Sequence, residues 1–476
     1  MTTYCPECGR KYDIFDKFWI QCDHCKEWYH GECVYVQPHQ AVSLDKFYCA
    51  RCESRVGPST YKPVTNNHRH NVYEEDPSEK MQSGTTAFID KLKTRRFDLI
   101  ELPQVQGNQL SLTYLIKNGF DQPIFVEKKD GLDMCVPPSE FGIEQIIELI
   151  GGYTELDVID SKRQLSIRLP LVEFARCINM DRREQTLNCI SLEVSKTKLG
   201  RLIKPPGIVN KLSWVENSWP DVDIRPNVSK YCLISMKDSY TDFHIDFGGT
   251  SVWYHVLQGE KVFYLIEPTP QHLSIYEQWM SCPDQSEIFL PDLLNDPTKC
   301  KMLILRQGQT LFIPTGWIHA VLTTKDSLVF GGNFLHSLNI KLQLDIYEME
   351  IRLRTADKFL FPFFELTNWY AVPTICKLLQ DSFVKRPPRK EFIEGIEVLS
   401  NYLRKWNNKS KEENSLKNGD FSPYAPKGCF STKRLINDLV KNLRSVCSRF
   451  GQTNPSQPAN SALMTKSKNG LPSIPT

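Results

Sequence analysis

Two groups of residues in this chain have the types and spacings of metal ligands. The first reads Cys5-x2-Cys8-x13-Cys22-x2-Cys25-x4-His30-x2-Cys33-x15-Cys49-x2-Cys52. Eight such ligands fill two tetrahedral sites, and each pair of cysteines two residues apart can clamp one face of a zinc ion. A segment this short cannot bury a sufficient core, so the metal must supply its folding energy. The second group begins in Thr241-Asp242-Phe243-His244-Ile245-Asp246-Phe247, where His244 and Asp246 stand two apart and share one face if the segment is a strand. His319, at the end of Phe312-Ile313-Pro314-Thr315-Gly316-Trp317-Ile318-His319, is a third donor supplied by a later strand. Two histidines and one carboxylate on one face leave three positions open, the donor set of non-haem Fe(II) oxygenases. A His-x-Asp by itself is more often structural, so its surroundings must carry the weight.

Aromatic residues interleave the zinc ligands: Tyr4, Tyr12, Trp19 and Trp28. Rings around a cavity attract a quaternary ammonium by ~0.5–2 kcal/mol each, although they can also simply pack a small module. Through Val56 the segment has seven Lys/Arg and eight Asp/Glu, which with seven thiolates and two zinc ions makes about −4. A basic partner would be attracted to it.

These sites need elements to hold them, and at about 150 residues per domain 476 residues make about three folded units. A hydrophobic fraction of 41% with 24% charged residues is ordinary for globular proteins. Net charge is +2, which gives no protein-wide basic field to grip nucleic acid without sequence preference, and no direct sequence-specific DNA binding is expected either. No apolar run approaches the ~20 residues of a membrane span, and no signal peptide is evident at the start, so no membrane partner is expected and the chain reads as intracellular. Seven of the sixteen cysteines lie in the first 52 residues; the other nine are scattered and read as buried thiols.

Along the chain, residues 54–86 are polar with little hydrophobic period and read as a linker. Helices are expected over 87–97 and 139–150. Between 231 and 340, short β-branched and aromatic runs at 231–236, 251–257, 261–266, 310–313 and 328–334 suggest a barrel or jelly roll. Helical period returns over 342–361 and continues over 363–450, broken at Pro387-Pro388 and by a polar stretch at 407–420. The end is rich in Ser, Asn, Pro and Lys and reads as disordered.

The order of four Cys, one His and three Cys resembles a PHD finger, whereas a His in fifth place argues against a RING. The resemblance implies that Cys5, Cys8, His30 and Cys33 hold one zinc, and Cys22, Cys25, Cys49 and Cys52 the other. In fingers of this type that read trimethyl-lysine, Tyr4, Tyr12 and Trp28 match the places of the aromatic cage, with Trp19 alongside. The run from Asp246-Phe247-Gly248-Gly249-Thr250-Ser251-Val252-Trp253-Tyr254 through Gly259-Glu260-Lys261, then Gly308-Gln309-Thr310 to His319, resembles the JmjC domain of histone lysine demethylases, most closely those with a PHD finger ahead of that domain. The implied architecture is α+β: a PHD zinc finger over 1–55, a linker over 56–86, a JmjC double-stranded β-helix with flanking helices over 87–345, a C-terminal helical region over 346–450 and a disordered tail over 451–476.

By the same resemblance His244, Asp246 and His319 bind Fe(II), while Lys261 and Thr241 hold the far carboxylate of 2-oxoglutarate. A dicarboxylate needs a cation and a hydroxyl opposite the metal. Asn188, Tyr231 and Tyr254 are further candidates for that pocket, and Asn333 for the methylated lysine; His255 and His336 fit a core role better. The implied reaction spends O2, turns 2-oxoglutarate into succinate and CO2, and hydroxylates an N-methyl group that then leaves as formaldehyde. The implied partners are the methylated tail of histone H3 and the nucleosome, in the nucleus: the finger takes trimethylated lysine 4, and the pocket mono- or dimethyl-lysine at 9 or 27. A protein hydroxylase of the same iron class, or a methyl-lysine reader without catalysis, are the alternatives.

Overall fold

The computed structural model describes residues 4–11, 18–36, 41, 44–61, 82–162, 165–183, 185–220, 225–381, 387–416 and 431–451. Tyr12, most of the expected linker (62–81) and nearly all of the expected tail (452–476) lie outside them.

In the finger, β1 (Trp19–Gln21) and β2 (Trp28–His30) form an antiparallel pair with Trp19 opposite His30. Period-two alternation places Ile20 and Tyr29 on one face, and Tyr29 is fully buried there. A second pair joins β3 (Leu44–Lys46) to β4 (Thr60–Tyr61), so the first residues expected in the linker pair back onto the finger. At the other end of that stretch the Ser83 N–H donates to the Ser286 carbonyl, and Thr85 caps the helix Thr86–Thr94.

The centre of the chain is a ten-stranded sheet, coiled so that its longest strands serve both halves. Its path runs β5 (Ile124–Val126), β13 (Thr310–Ile313), β11 (Ser251–Ile266), β14 (Ile318–Phe334), β9 (Tyr231–Ser235), β8 (Leu187–Glu193), β6 (Glu155–Asp160) and β7 (Leu165–Pro170). Off this path, β10 (Tyr240–His244) pairs with β14, and β12 (Cys300–Arg306) with β11. The segments 251–257 and 261–266, expected as separate strands, are one strand of 16 residues. Instead of turning, it bends through register shifts between Val256 and Lys261, with Gly259 at φ +88° where a side chain would strike the Asp326 carbonyl. β14 pairs with β11 from Phe334 back to Ile318, across both sides of that bend. This pairing ties the two halves of the jelly roll together.

Helices cover the sheet. Ile143–Ile150 starts four residues later than expected, because the Gln145 side chain accepts from the Gly142 N–H and fixes the N-terminus there. Ile340–Arg352 stops well before residue 361; Arg354 adopts a left-handed conformation (φ +53°) that breaks the helix ahead of Pro362. The helix Phe364–Asp381 runs through Pro373, and Lys390–Leu416 continues through most of the polar stretch expected to break it. Together with Thr432–Arg449 these helices bury Trp369, Ile375, Leu379, Ile396, Leu399, Leu403, Trp406, Leu439 and Val446 in a second core, which also takes in Trp214, Val228 and Leu335. Helical propensity decided little here: an apolar stripe against two neighbours outweighs a polar outer face.

Candidate active site and zinc centres

The register of β10 on β14 sets His244 directly opposite His319. Their rings lie 4.2 Å apart between centroids, and His319 Nε2 is 3.6 Å from Asp246 Oδ2. One ligand atom from each of the three residues falls within 4.8 Å of the others. The free nitrogen of each ring is set by its neighbour. His244 Nδ1 is 2.8 Å from the Asp242 carbonyl and His319 Nδ1 is 3.0 Å from the Trp317 carbonyl. A carbonyl can only accept, so each Nδ1 carries the proton and each Nε2 keeps its lone pair for a metal. The third donor is held from the far end of β14, where the Asn333 amide donates to Asp246 Oδ1 at 3.2 Å and to Thr250 Oγ1 at 2.9 Å. Asn333, expected beside the substrate lysine, thus has its amide engaged by an iron-ligand candidate. After Asp246 the chain turns away through Gly248 and Gly249, both with positive φ, and the Gly248 N–H donates to Glu350.

The three residues open into a cavity of ≈ 500 Å³ whose lining includes all of the expected pocket residues: Asn188, Tyr231, Thr241, Tyr254, Lys261 and Asn333. Lys261 is buried, and its ammonium makes one hydrogen bond, 2.7 Å, to Thr323 Oγ1. No carboxylate pairs with it among the described residues, and burial pushes its pKa down to about 7. Thr241 Oγ1 accepts from Asn188 Nδ2 at 3.1 Å, and Asn188 Oδ1 accepts from Ser235 Oγ at 2.8 Å. The Thr241 hydroxyl proton is therefore left to donate into the cavity. Tyr254 stands edge-on to Phe263, and burial holds its phenol protonated, so it can only donate to an anion. Thr323 and Ser235 escaped the sequence reading because neither stands near a motif; only cross-strand register brings them in. His255 and His336 lie outside the cavity as expected. His255 is bonded to Thr310, His336 to Ser251 and the Leu338 N–H, and burial lowers their pKa values to about 4 and about 3.

In the finger, Cys5, Cys8, His30 and Cys33 converge in one group, and Cys22, Cys25, Cys49 and Cys52 in another. His30 Nδ1 lies 3.2 Å from Cys8 Sγ and 3.7 Å from Cys33 Sγ, so this nitrogen faces the metal position. Trp19 and Trp28 share one face of the β1–β2 pair, diagonal to each other; Trp28 is 41% exposed and Tyr4 53%. Trp19 also packs its ring 3.9 Å from that of His30. It braces His30, a zinc-ligand candidate, as well as standing beside Trp28.

Three family models match the chain: a PHD-finger over 5–52, a JmjC domain, hydroxylase, over 231–334, and a Jumonji helical domain over 338–447. Lysine-specific demethylase 7B of Danio rerio is 47% identical over 409 residues, covering 85% of this chain and 70% of that protein. The chain belongs to the histone lysine demethylases that carry a PHD finger and a JmjC domain. Lysine-specific demethylase 7A of Mus musculus is 46% identical over 412 residues, and histone lysine demethylase PHF8 of Danio rerio 44% over 460. The chain spans 43% of the length of each of these two. JmjC domains of this family work with Fe(II), 2-oxoglutarate and O2, and the geometry fits that set. Two Nε2 atoms and a carboxylate face one point, and a buried ammonium with no counter-anion among the described residues can take a carboxylate. The cysteine and histidine groups likewise fit zinc.

Proposed function

We propose that this protein removes mono- and dimethyl marks from lysine 9 or lysine 27 of histone H3, in the nucleus, while its finger holds trimethylated lysine 4 of the same tail on the nucleosome. One observation carries the catalytic part: the His244, Asp246 and His319 donors and the unpaired Lys261 ammonium line a single cavity. Bound there, Fe(II) with 2-oxoglutarate and O2 supplies the oxidising power for N-methyl hydroxylation. The protein's own residues fix the geometry. Asp242 and Trp317 carbonyls aim the two imidazoles, Asn333 holds the Asp246 carboxylate, and Lys261 with Thr241 and Tyr254 takes the co-substrate. Trp28 and Tyr4, exposed beside the first zinc group, support the reading role of the finger.

Reach separates the two lysines. Five residues of extended tail from lysine 4 to lysine 9 cover at most ~18 Å, and 23 residues to lysine 27 at most ~80 Å. Mass spectrometry of peptides methylated at 9 or 27, with and without trimethylated lysine 4, tests the proposal. Loss of 14 mass units per methyl group with stoichiometric formaldehyde is the expected result, dependent on Fe(II) and 2-oxoglutarate. A gain of 16 on carbon without formaldehyde would instead make the protein a hydroxylase.

A further inference from the structure

Besides Asp246 the cavity is lined by three carboxylates, Asp157, Glu193 and Glu350; Asp157 pairs with Arg168 and Glu350 accepts from the Gly248 N–H, whereas nothing in the iron or 2-oxoglutarate chemistry uses Glu193. Glu193 ends β8, directly opposite Tyr231 of β9, and both line the cavity. Alternation along β9 sets Tyr231, Leu233 and Ser235 on the cavity wall in sequence. Ser235 holds Asn188 at the Thr241 end, and four residues of strand carry Tyr231 about 13 Å from it. The Glu193–Tyr231 pair therefore stands at the opposite end of the wall from Asn188 and Thr241, so Tyr231, expected among the co-substrate candidates, is remote from that end. The Tyr231 phenol lies within the electrostatic reach of both Glu193 and Asp246, which places Glu193 beside the route to the metal ligands and not on a remote face.

The carboxylate is built in and half-satisfied. Oε1 of Glu193 accepts from the Ser195 N–H at 3.0 Å and from the Ser195 hydroxyl. Oε2 has no hydrogen-bond or ion-pair partner among the described residues. Two lysines are near enough to be felt, Lys196 and Lys230, yet neither comes within ion-pair distance, and the Lys230 ammonium is committed to the Gly200 carbonyl. Burial acts on Glu193 more strongly than those lysines do and raises its pKa. A fixed, partly desolvated carboxylate on a cavity wall calls for a cation.

We propose that Glu193 is a specificity-determining residue that takes a cationic side chain one or two positions from the methylated lysine. This rests on the demethylase reading and names the sequence context that its pocket accepts. A methyl-lysine reaching the three ligand candidates fills the cavity with its own stem, which leaves the residue next to it at the rim. An arginine there spans the width of a strand pair and can approach Oε2 with two N–H groups.

The test uses the full chain with Mn(II) in place of iron, so that nothing turns over, and peptides centred on a dimethyl-lysine that lack the tail's first residues, so that the finger is not engaged. Arginine at each flanking position is replaced in turn by citrulline, which keeps shape and removes charge. The expected result is a five- to tenfold loss of affinity in the wild type at one flanking position. The loss shrinks below twofold in Glu193→Gln, which still accepts both bonds from Ser195, and is recovered at least in part in Glu193→Asp. Equal citrulline penalties in wild type and Glu193→Gln, or no penalty in either, overturn the assignment. Formaldehyde release from the arginine peptide with Fe(II) is measured separately. If it is present while the citrulline penalty ignores Glu193, this inference fails and the demethylase reading stands; if it is absent while the penalty tracks Glu193, the reverse holds.

Discussion

Lys261 offers the sharpest test of how the cavity binds its co-substrate. Its ammonium is buried with one neutral partner, Thr323, and its pKa falls from 10.5 to about 7. That drop corresponds to about 5 kcal/mol for keeping the charge without an anion. The folded pKa lies below the unfolded one, so between pH 7 and 10.5 the unfolded chain binds the extra proton and this group's contribution to stability rises with pH. Below pH 7 the full penalty is present. A carboxylate placed against the ammonium reverses the balance, because it favours the charged form. Binding 2-oxoglutarate should therefore draw in close to one proton at pH 8, where the free protein holds Lys261 mostly neutral, and almost none at pH 6. Titration calorimetry with Mn(II), run in phosphate and in Tris, reads that uptake from the difference in buffer ionisation heat. Lys261→Met, similar in length and uncharged, should abolish the uptake, raise the melting temperature at pH 6, and weaken 2-oxoglutarate at least ~30-fold, the cost of removing one side of a buried charge pair. Zero uptake at pH 8 in the wild type, or unchanged co-substrate affinity in Lys261→Met, would falsify the placement of the far carboxylate.

Other perturbations probe the remaining parts. His319→Ala or Asp246→Ala should abolish formaldehyde release while zinc content and peptide binding by the finger persist; full turnover by either variant refutes the iron site. Asn333→Ala leaves the Asp246 carboxylate unheld, so metal affinity should fall by about 10- to 100-fold in a Co(II) or Mn(II) titration with the fold intact. Affinity equal to wild type would mean that the contact does not orient the ligand. Trp28→Ala should remove most of the preference for a peptide trimethylated at lysine 4, a factor between about 2 and 30, and fluorescence titration of marked and unmarked peptides checks it. Equal affinities in the wild type already sink the reader assignment.

Spacing alone marked the two cysteine and histidine groups and the His-x-Asp pair, because a metal with fixed bond lengths imposes its geometry on short stretches of chain, and a strand shows alternate residues on one face. The JmjC resemblance rested on similarly local runs. Turn chemistry and period also marked β9 and β13 within a residue of their observed ends. What no local signal carried was pairing across distance. His244 meets His319 through a β10–β14 register spanning 75 residues, Lys261 meets Thr323 across 62, and Asn333 reaches back 87 to hold Asp246. The fusion of two expected strands into β11 has the same origin, since a sheet that must curl around a cavity bends a strand at Gly259 where a flat one would end it. Glu193 shows the limit most plainly. In the sequence it is one acidic residue among many, and only the β8–β9 register sets it opposite Tyr231 on the cavity wall. The ligand candidates were legible because metal chemistry is local; the clamps and charges around them were not, because register and burial are properties of the closed sheet.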